Sequence, residues 1–263
     1  MTVTGSWKPP EGHPLSPERA KQLIVGPLGD TYREILKSCC APIYWYRNAK
    51  TGPLEICASG TVTFVDTGEK IIGVTAAHVV DGAMKAVAVC DVTIQIMDAR
   101  IERLEVIGID RRLDLATIAF ERRHIDAMGK VISPLTGWPP LVPEEGRGIM
   151  LAGYPGADRI ITAPKEVNWG LCTILGIARR VSDEQITWLL EREHGVSDGK
   201  IPDLPPNHAL GGISGGPLVG WFETPGGFTY PRLCGIVSEA SAEFENVIAK
   251  RADFIRADGT IGK

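Results

Sequence analysis

The sequence predicts an all-β protein with two antiparallel β units, a short helical extension before them and a short C-terminal helix after them. Three observations predict this class. From residue 41 onward, short β-type runs alternate with turn signals such as TGP, DTGEK and DG. The runs form two series of about six, one on each side of the stretch VISPLTGWPPLVPEEG. The helix-strand alternation typical of a doubly wound fold is missing from the sequence.

The first 40 residues predict a partly helical N-terminal extension, residues 1–40. Residues 1–15 are rich in Pro and Gly. The run SPERAKQLI begins with Ser16 as a helix N-cap and has a proline at the first helical position. The run GDTYREILKSC predicts a second helix, capped by Asp30 or Thr31.

The two β units divide the rest of the chain. The first spans residues 41–125 and contains the runs from PIYWYR to DLATIAFE, including KIIGVTAA and MKAVAVCDVTIQIM. The second spans residues 126–263 and contains the runs from GRGIMLAGYP to FENVIAKRA. Near its end, the segment ADFIRADG predicts the closing helix. Short strands in these numbers are typical of small antiparallel β units.

The composition argues against several classes of protein. Of the 263 residues, 44% are hydrophobic and 23% are charged, as in ordinary globular proteins. The net charge of −4 argues against nucleic acid or an anionic membrane as the main partner. No run approaches the ~18 apolar residues of a membrane helix, and the start does not show the pattern of a secretory signal. We therefore expect a cytoplasmic protein.

The cysteines do not follow a metal-binding pattern. They are Cys39, Cys40, Cys57, Cys90, Cys172 and Cys234, with no CxxC pair among them. In a chain of this length without a secretory signal, reduced thiols are favoured over disulfides. The stretch GGISGG lacks the Lys-Ser/Thr of a phosphate loop. We therefore expect neither a metal nor a cofactor.

The stretch HALGGISGGPLVG, residues 208–220, is the strongest candidate for chemistry. It places Ser214 between two pairs of glycines. A serine nucleophile needs an adjacent base, and the oxyanion that it creates needs donors such as backbone N–H groups. Glycine permits the tight turn that aims two amides at one point. We assign these donors to the amides of Gly212 and Ser214. The alternative is a glycine-rich turn without chemistry.

Among the five histidines, His78 is the best candidate for the base. It ends the predicted strand KIIGVTAA, where a ring can face a cleft. Taken alone, His78 is equally well interpreted as a buried structural histidine. The orienting acid is assigned to Asp114 in DRRLDLATIAF, with Asp110 as the backup. A carboxylate that leads into an apolar strand needs partners, and a histidine N–H is one of them. The alternative is a strand-start cap.

Taken together, TAAH, DLA and GISGGP stand in an order that resembles the chymotrypsin-like (trypsin-fold) serine peptidases, in particular the bacterial intracellular type. AGYPG and CGIVSEAS are similar to segments of the family's second barrel, and RADFI resembles its closing helix. The resemblance covers about residues 41–258. It implies two six-stranded antiparallel β-barrels, with His78 and Asp114 in the first and Ser214 in the second.

The resemblance also implies a role for each site residue. Ser214 would be the nucleophile, His78 the general base and then acid, and Asp114 the group that holds the imidazole in the correct tautomer. The amides of Gly212 and Ser214 would form the oxyanion hole. Four residues are implied to bind substrate. His208 would form the floor of the primary pocket, and Ser238 would sit beside Asp114 and, with Ala240, border the substrate strand. Glu239 at the pocket wall would favour basic or polar substrates, or else point to solvent.

Two departures from the family pattern bear on control and specificity. Ile213 stands where zymogen-activated members carry an acid, so we expect no activation of that kind. The oxyanion loop must then be held by packing or by a partner. His208 stands where trypsin-like members carry an Asp, so a preference for Arg or Lys is not supported.

These residues predict a serine endopeptidase that cleaves peptide or protein substrates through an acyl-enzyme. We expect narrow specificity, or activation by a regulatory protein bound through residues 1–40. The alternative is a binding or scaffold module with a peptidase fold and little turnover. Esterase-type acyl transfer by the same triad also stays open, because the sequence does not separate it from peptide cleavage.

Overall fold

The computed structural model describes most of the chain. The described residues are 13–14, 18–19, 22, 25–47, 54–132, 138–163, 166–189, 205, 208–241 and 246–262. They are mostly β, with two curled antiparallel sheets and few helices. The predicted all-β class is confirmed at this level.

The helices lie outside the sheets and are short. Their bounds are α1 (Pro27–Cys39), α2 (Ala77–Val89) and α3 (Arg122–Ala127). The second predicted helix of the extension is confirmed as α1, but Gly26 takes its N-cap, so the cap predicted at Asp30 or Thr31 is wrong. Asp30 lies in the first turn, where a negative charge complements the helix N-terminus. The helix predicted from Ser16 lies almost entirely outside the described residues.

The first sheet is formed by the N-terminal half of the chain. After a two-residue strand β1 (His13–Pro14), its strands are β2 (Cys40–Arg47), β3 (Glu55–Asp66), β4 (Ile71–Thr75), β5 (Val92–Ile96), β6 (Ala99–Ile101), β7 (Val106–Asp110) and β8 (Leu115–Phe120). They pair antiparallel in the order β6-β5-β2-β3-β4-β8-β7. The order holds seven strands, so the predicted number of six is not confirmed.

The run MKAVAV, predicted as part of a strand, belongs to α2 instead. Its alanines favour a helix, and Val79, Val80 and Ala83 are buried on the side of the helix that meets the first core. Strand β4 ends at Thr75, earlier than predicted. His78 therefore lies in the first turn of α2 rather than at the end of a strand.

The second sheet is formed by the C-terminal half. Its strands are β9 (Gly148–Gly153), β12 (Cys172–Ile177), β13 (Arg180–Val181), β14 (Gln185–Leu189), β15 (Pro217–Glu223), β16 (Thr229–Ser241) and β17 (Asn246–Arg251). Their order is β12-β9-β15-β16-β17-β14-β13, and β1 also pairs with β15. The strands β10 (Arg159–Ala163) and β11 (Glu166–Trp169) form a separate hairpin.

The predicted C-terminal helix is wrong. ADFIRADG forms one turn of 3-10 helix, Ala252–Phe254, followed by extended chain in which Ile255 pairs with Ile261. A turn at Gly259, whose φ is +86°, interrupts any helical continuation. The Gly259 carbonyl accepts a hydrogen bond from Thr117 Oγ1 at 2.6 Å, so the C-terminal segment returns to the first sheet.

Apolar clusters hold the two sheets together. Each sheet encloses its own core, and a further cluster joins Val74 and Leu115 of the first sheet to Leu233 and Ile236 of the second. All four side chains are at most 1% exposed. Burial of each contributes about 1.5–3 kcal/mol. The contact between the sheets is therefore a packed core, and the candidate site lies where the sheets meet.

The helix α1 packs against the second sheet although it leads into the first. The Tyr32 ring centroid lies 3.8 Å from that of Trp221, and both side chains are buried. No helix among the described residues is long and apolar enough to cross a membrane.

Gly176 on β12 lies directly against the indole of Trp188 on β14. A Cβ at Gly176 would come within 2.0 Å of Trp188 Cε2, and Trp188 is 3% exposed. We expect Gly176→Ala to lower the free energy of unfolding by about 1–3 kcal/mol, because overpacking forces buried side chains off their rotamers. Thermal unfolding followed by circular dichroism measures the change.

The matched control is Gly226→Ala, in an exposed turn where a Cβ meets its nearest atom at 3.6 Å, an ordinary contact. We expect this control to change the free energy of unfolding by no more than about 0.5 kcal/mol. Equal unfolding temperatures for the two variants would contradict the packing described for Gly176.

Candidate functional site

Asp114 fixes both the start of α2 and the ring of His78. Its Oδ1 accepts the backbone N–H of His78 at 2.9 Å, and its Oδ2 lies 2.9 Å from His78 Nδ1. Asp114 has φ 51°, a left-handed conformation that is uncommon outside glycine. Because Nδ1 faces the carboxylate, the ring proton belongs on Nδ1, and Nε2 is left as an acceptor.

Asp110, the backup candidate for the orienting acid, binds backbone groups instead of a histidine. Its Oδ1 accepts the backbone N–H groups of Arg112 and Leu113, each at 2.9 Å. It therefore stabilises the turn that leads to Asp114 rather than contacting His78. Of the two candidates, the structure brings only Asp114 to the imidazole.

Ser238 links Asp114 to Ser214. The Ser238 hydroxyl donates to Asp114 Oδ2 at 2.5 Å, and the Ser238 carbonyl accepts the Ser214 hydroxyl at 3.0 Å. Although both residues lie in the described chain, no hydrogen bond joins Ser214 and His78. Catalytic hydrogen bonds often form only with substrate bound. In this conformation Ser238 connects the three predicted triad residues.

His78 and Asp114 shift each other's pKa in the direction that favours the charged form of each. The hydrogen bond that His78 donates to Asp114 raises the pKa of His78 above its ordinary value, although burial acts in the opposite direction. Nearby carboxylates of Asp81 and Glu239 raise it further. Burial would raise the pKa of Asp114, but the hydrogen bonds from His78 and Ser238 outweigh it and lower that pKa below its usual range. The ion pair therefore favours a charged Asp114 and a more basic His78.

The residues 211–216 form a tight loop around the nucleophile candidate, called the nucleophile loop below. Gly212 and Gly215 have φ of +102° and +93°, which favour glycine. Within the described chain, the amides of Gly212 and Ser214 donate no hydrogen bond. They are the two donors that the sequence predicts for an oxyanion.

Packing holds the nucleophile loop from inside the second sheet. Ile213 is 1% exposed, and a Cβ added at Gly153 would lie 2.4 Å from its Cγ1. Beside it, the Gly156 N–H donates to the Gly211 carbonyl at 2.7 Å. The residue that stands in place of an acid is therefore an apolar anchor, which is one of the two means of support expected from the sequence.

Two threonines of β3 hold the nucleophile loop from the first sheet. Thr61 Oγ1 donates to the Gly212 carbonyl at 2.9 Å and accepts the Tyr154 N–H at 3.0 Å. The Thr61 N–H donates to the Ser214 carbonyl at 2.8 Å. Thr63 Oγ1 donates to the Gly215 carbonyl at 2.8 Å. These bonds occupy the carbonyls of Gly212, Ser214 and Gly215, while the amides of Gly212 and Ser214 have no partner in the described chain.

The predicted substrate-binding residues are less closely grouped. His208 Nε2 lies 2.9 Å from Asp158 Oδ1, in the 3-10 turn that follows β9. Glu239 is exposed near His78, and Ala240 is half-buried against the second core. The ring of His208 therefore lies close to a carboxylate, which the sequence did not predict, although Nε2 forms no hydrogen bond in the described chain.

Sequence reasoning missed Thr61, Thr63 and Tyr154. The one available signal was the alternation of threonines in GTVTF, where both are fully or almost fully buried. A buried hydroxyl needs a partner, but the partners lie about 150 residues away, with a separation of 151 for Thr61 and Gly212.

No family model and no curated protein matches this chain. The two curled antiparallel sheets are compatible with a chymotrypsin-like fold. Among the residues that the structure describes, no group of three or more His, Cys, Asp or Glu could hold a metal ion. All six cysteines are free thiols.

Thr61→Val tests whether the cross-sheet hydrogen bonds organise the loop. The variant keeps the shape of the side chain but leaves the buried Tyr154 N–H and the Gly212 carbonyl unpaired. We expect the free energy of unfolding to fall by about 1–3 kcal/mol, with a lower rate of Ser214 labelling by a fluorophosphonate. Thr61→Ser keeps the hydroxyl and is the matched control. Equal labelling rates of both variants and wild type would contradict this role.

Proposed function

We propose that this chain is a chymotrypsin-like serine endopeptidase that cleaves peptide bonds through an acyl-enzyme. The observation that carries the proposal is the Asp114 carboxylate, which binds His78 Nδ1 and the Ser238 hydroxyl. Ser214 lies one hydrogen bond further, beside two amides without partners in the described chain. This is the set of groups that acyl transfer needs: a hydroxyl, a base, an orienting acid and donors for an oxyanion.

In the proposed reaction, the Ser214 hydroxyl turns from the Ser238 carbonyl to His78 Nε2. Oγ attacks the peptide carbonyl carbon while its proton passes to Nε2, and the carbonyl electron pair moves onto oxygen. The amides of Gly212 and Ser214 stabilise this oxyanion. As the C–N bond breaks, His78 gives its proton to the leaving amine. Water then attacks the acyl-enzyme as His78 takes its proton, and the bond to Ser214 Oγ breaks as His78 returns that proton to Oγ. The carboxylic acid product is released.

A peptide substrate is supported by the edge of β16. Its residues up to Ile236 pair with β15 on one side, and Val237 forms backbone hydrogen bonds there with Gly215 and Gly216. From Glu239 onward, the strand pairs in the described chain only with β17. In the described chain, Glu239 and Ala240 thus have one edge without a strand partner. An extended peptide binds such an edge by backbone hydrogen bonds. A small ester makes no use of it, which favours peptide cleavage over esterase activity.

A binding module with little turnover is the second candidate. The observation that favours it is the Ser214 hydroxyl, which donates to Ser238 rather than to His78. A regulatory protein bound through residues 1–40 would fit either candidate. Within that segment, α1 packs Tyr32 against Trp221 of the second sheet. A partner bound to α1 would therefore lie beside the half of the chain that carries Ser214.

Labelling by a fluorophosphonate separates the two candidates. The probe forms a covalent bond only with a serine activated by its base and oxyanion donors. We expect one adduct by intact mass on wild type and none on Ser214→Ala or His78→Ala. Asp114→Asn should slow labelling by roughly 10³- to 10⁴-fold, whereas Asp110→Asn, which keeps its turn contacts, should label normally. A folded wild type without an adduct would contradict the peptidase proposal and support the binding module.

The pH dependence of labelling tests the pairing of His78 with Asp114. The base acts in its neutral form, and the Asp114 hydrogen bond raises the pKa of His78 above 6.5. The labelling rate should therefore rise with pH through a midpoint above 6.5. Asp114→Asn removes the raising interaction, so its midpoint should move to lower pH, and Asp110→Asn should not move it. A midpoint that is the same in all three proteins would contradict the assignment.

A further inference from the structure

A cavity of about 620 Å³ lies beneath α1, apart from His78 and Asp114. Charged residues of α1, among them Arg33 and Lys37, form one side. Lys130, Tyr154 and Trp169 form part of the other. Its size is typical of a site for a small molecule. Nothing in the proposed reaction uses it.

Lys130 is a buried cation in this cavity. Its side chain belongs to a residue that is 6% exposed, and its Nζ donates to the Lys37 carbonyl at 2.8 Å and to the Tyr154 hydroxyl at 3.2 Å. An ammonium group has three donors, so one remains. Lys130 is one of the residues that line the cavity.

The Lys130 ammonium group has two hydrogen-bond acceptors and lies 5.6 Å from the centroid of the Tyr154 ring, but it has no opposite charge beside it among the described residues. In the part of the chain that the structure describes, no carboxylate pairs with it, and its charged neighbour is Lys37. The acids of the cavity rim already face cations of α1: Asp30 binds Arg33 at 2.5 Å, and Glu34 lies 3.7 Å from Lys37. A buried charge without a partner is costly. An anion in the cavity would remove that cost.

The remaining walls select the body of such a ligand. The aromatic rings of Tyr154 and Trp169, together with Leu171, offer apolar surface beside the ammonium group. We propose that this cavity binds a small monocarboxylate with a planar apolar body, its carboxylate on Lys130 and its body against Trp169 and Leu171. We propose further that binding stabilises the nucleophile loop.

The link from cavity to loop is short. Tyr154, which binds Lys130 by its hydroxyl, donates its backbone N–H to Thr61 Oγ1. Thr61 Oγ1 in turn donates to the Gly212 carbonyl. A ligand that fixes Tyr154 therefore favours the loop conformation in which Thr61 binds the Gly212 carbonyl, because Thr61 Oγ1 takes part in both hydrogen bonds. Any effect of the ligand on Ser214 labelling rests on the proposed function, whereas ligand binding and loop protection do not.

The test uses the full chain carrying Ser214→Ala, so that binding is measured without catalysis. The probe is 3-phenylpropanoate, and its neutral amide is the matched ligand. By calorimetry, we expect the amide to bind at least about tenfold more weakly, because it lacks the charge that Lys130 recognises. Lys130→Met should weaken binding of the acid at least about tenfold as well. Lys85→Met, which removes an exposed lysine of α2, should not.

Hydrogen exchange on the same protein tests the link. Saturating 3-phenylpropanoate should slow exchange of the amides in residues 212–216, and it should not do so in Lys130→Met. Equal binding of acid and amide would overturn carboxylate recognition, and this comparison stands even where Lys130→Met fails to fold. Binding that is unchanged in a folded Lys130→Met would overturn the site. Binding without protection of the loop would overturn the link. A wild-type protein that is not labelled by the fluorophosphonate, with 3-phenylpropanoate binding intact in Ser214→Ala, would count against the proposed function alone.

Discussion

The rest of the site depends on the hydrogen bonds of Thr61. This residue of the first sheet binds the Gly212 carbonyl with its hydroxyl and the Ser214 carbonyl with its N–H, and it accepts the Tyr154 N–H. All these groups are held between the sheets, where an unmade hydrogen bond costs about 1–3 kcal/mol. Since His78 and Asp114 belong to the first half of the chain and Ser214 to the second, their mutual position follows from how the loop is bound to β3.

A loop held in this way would support the proposed oxyanion site without the acid used by zymogen-activated enzymes. Ile213 anchors the loop by burial, and Thr61 and Thr63 occupy its carbonyls. The amides of Gly212 and Ser214 then have no partner to turn toward in the described chain. The same arrangement makes the loop sensitive to Tyr154, which connects it to the space beneath α1.

The sequence predicted the features that depend on neighbouring residues, such as most of the strands. Runs of β-branched residues predicted most strands. The residue types and order of His78, Asp114 and Ser214 predicted a triad, which stays a prediction; the structure shows that hydrogen bonds through Ser238 connect these three residues. The run MKAVAV was misassigned because short apolar runs fit helix and strand alike, and packing on the first core decided for α2. The role of Thr61 was not predictable, because its partners lie far along the chain. The rotamer of Ser214, which selects Ser238 over His78, is likewise set by three-dimensional contacts.

The most direct test of the account is a crystal structure of the protein with a peptide boronic acid, which mimics the tetrahedral intermediate. The account predicts a bond from Ser214 Oγ to boron and one boronate oxygen within about 2.7–3.1 Å of the amides of Gly212 and Ser214. His78 Nε2 should lie within hydrogen-bond distance of the adduct, with Asp114 still on Nδ1. A structure at saturating boronic acid in which Ser214 stays bonded to the Ser238 carbonyl, with no adduct, would contradict it.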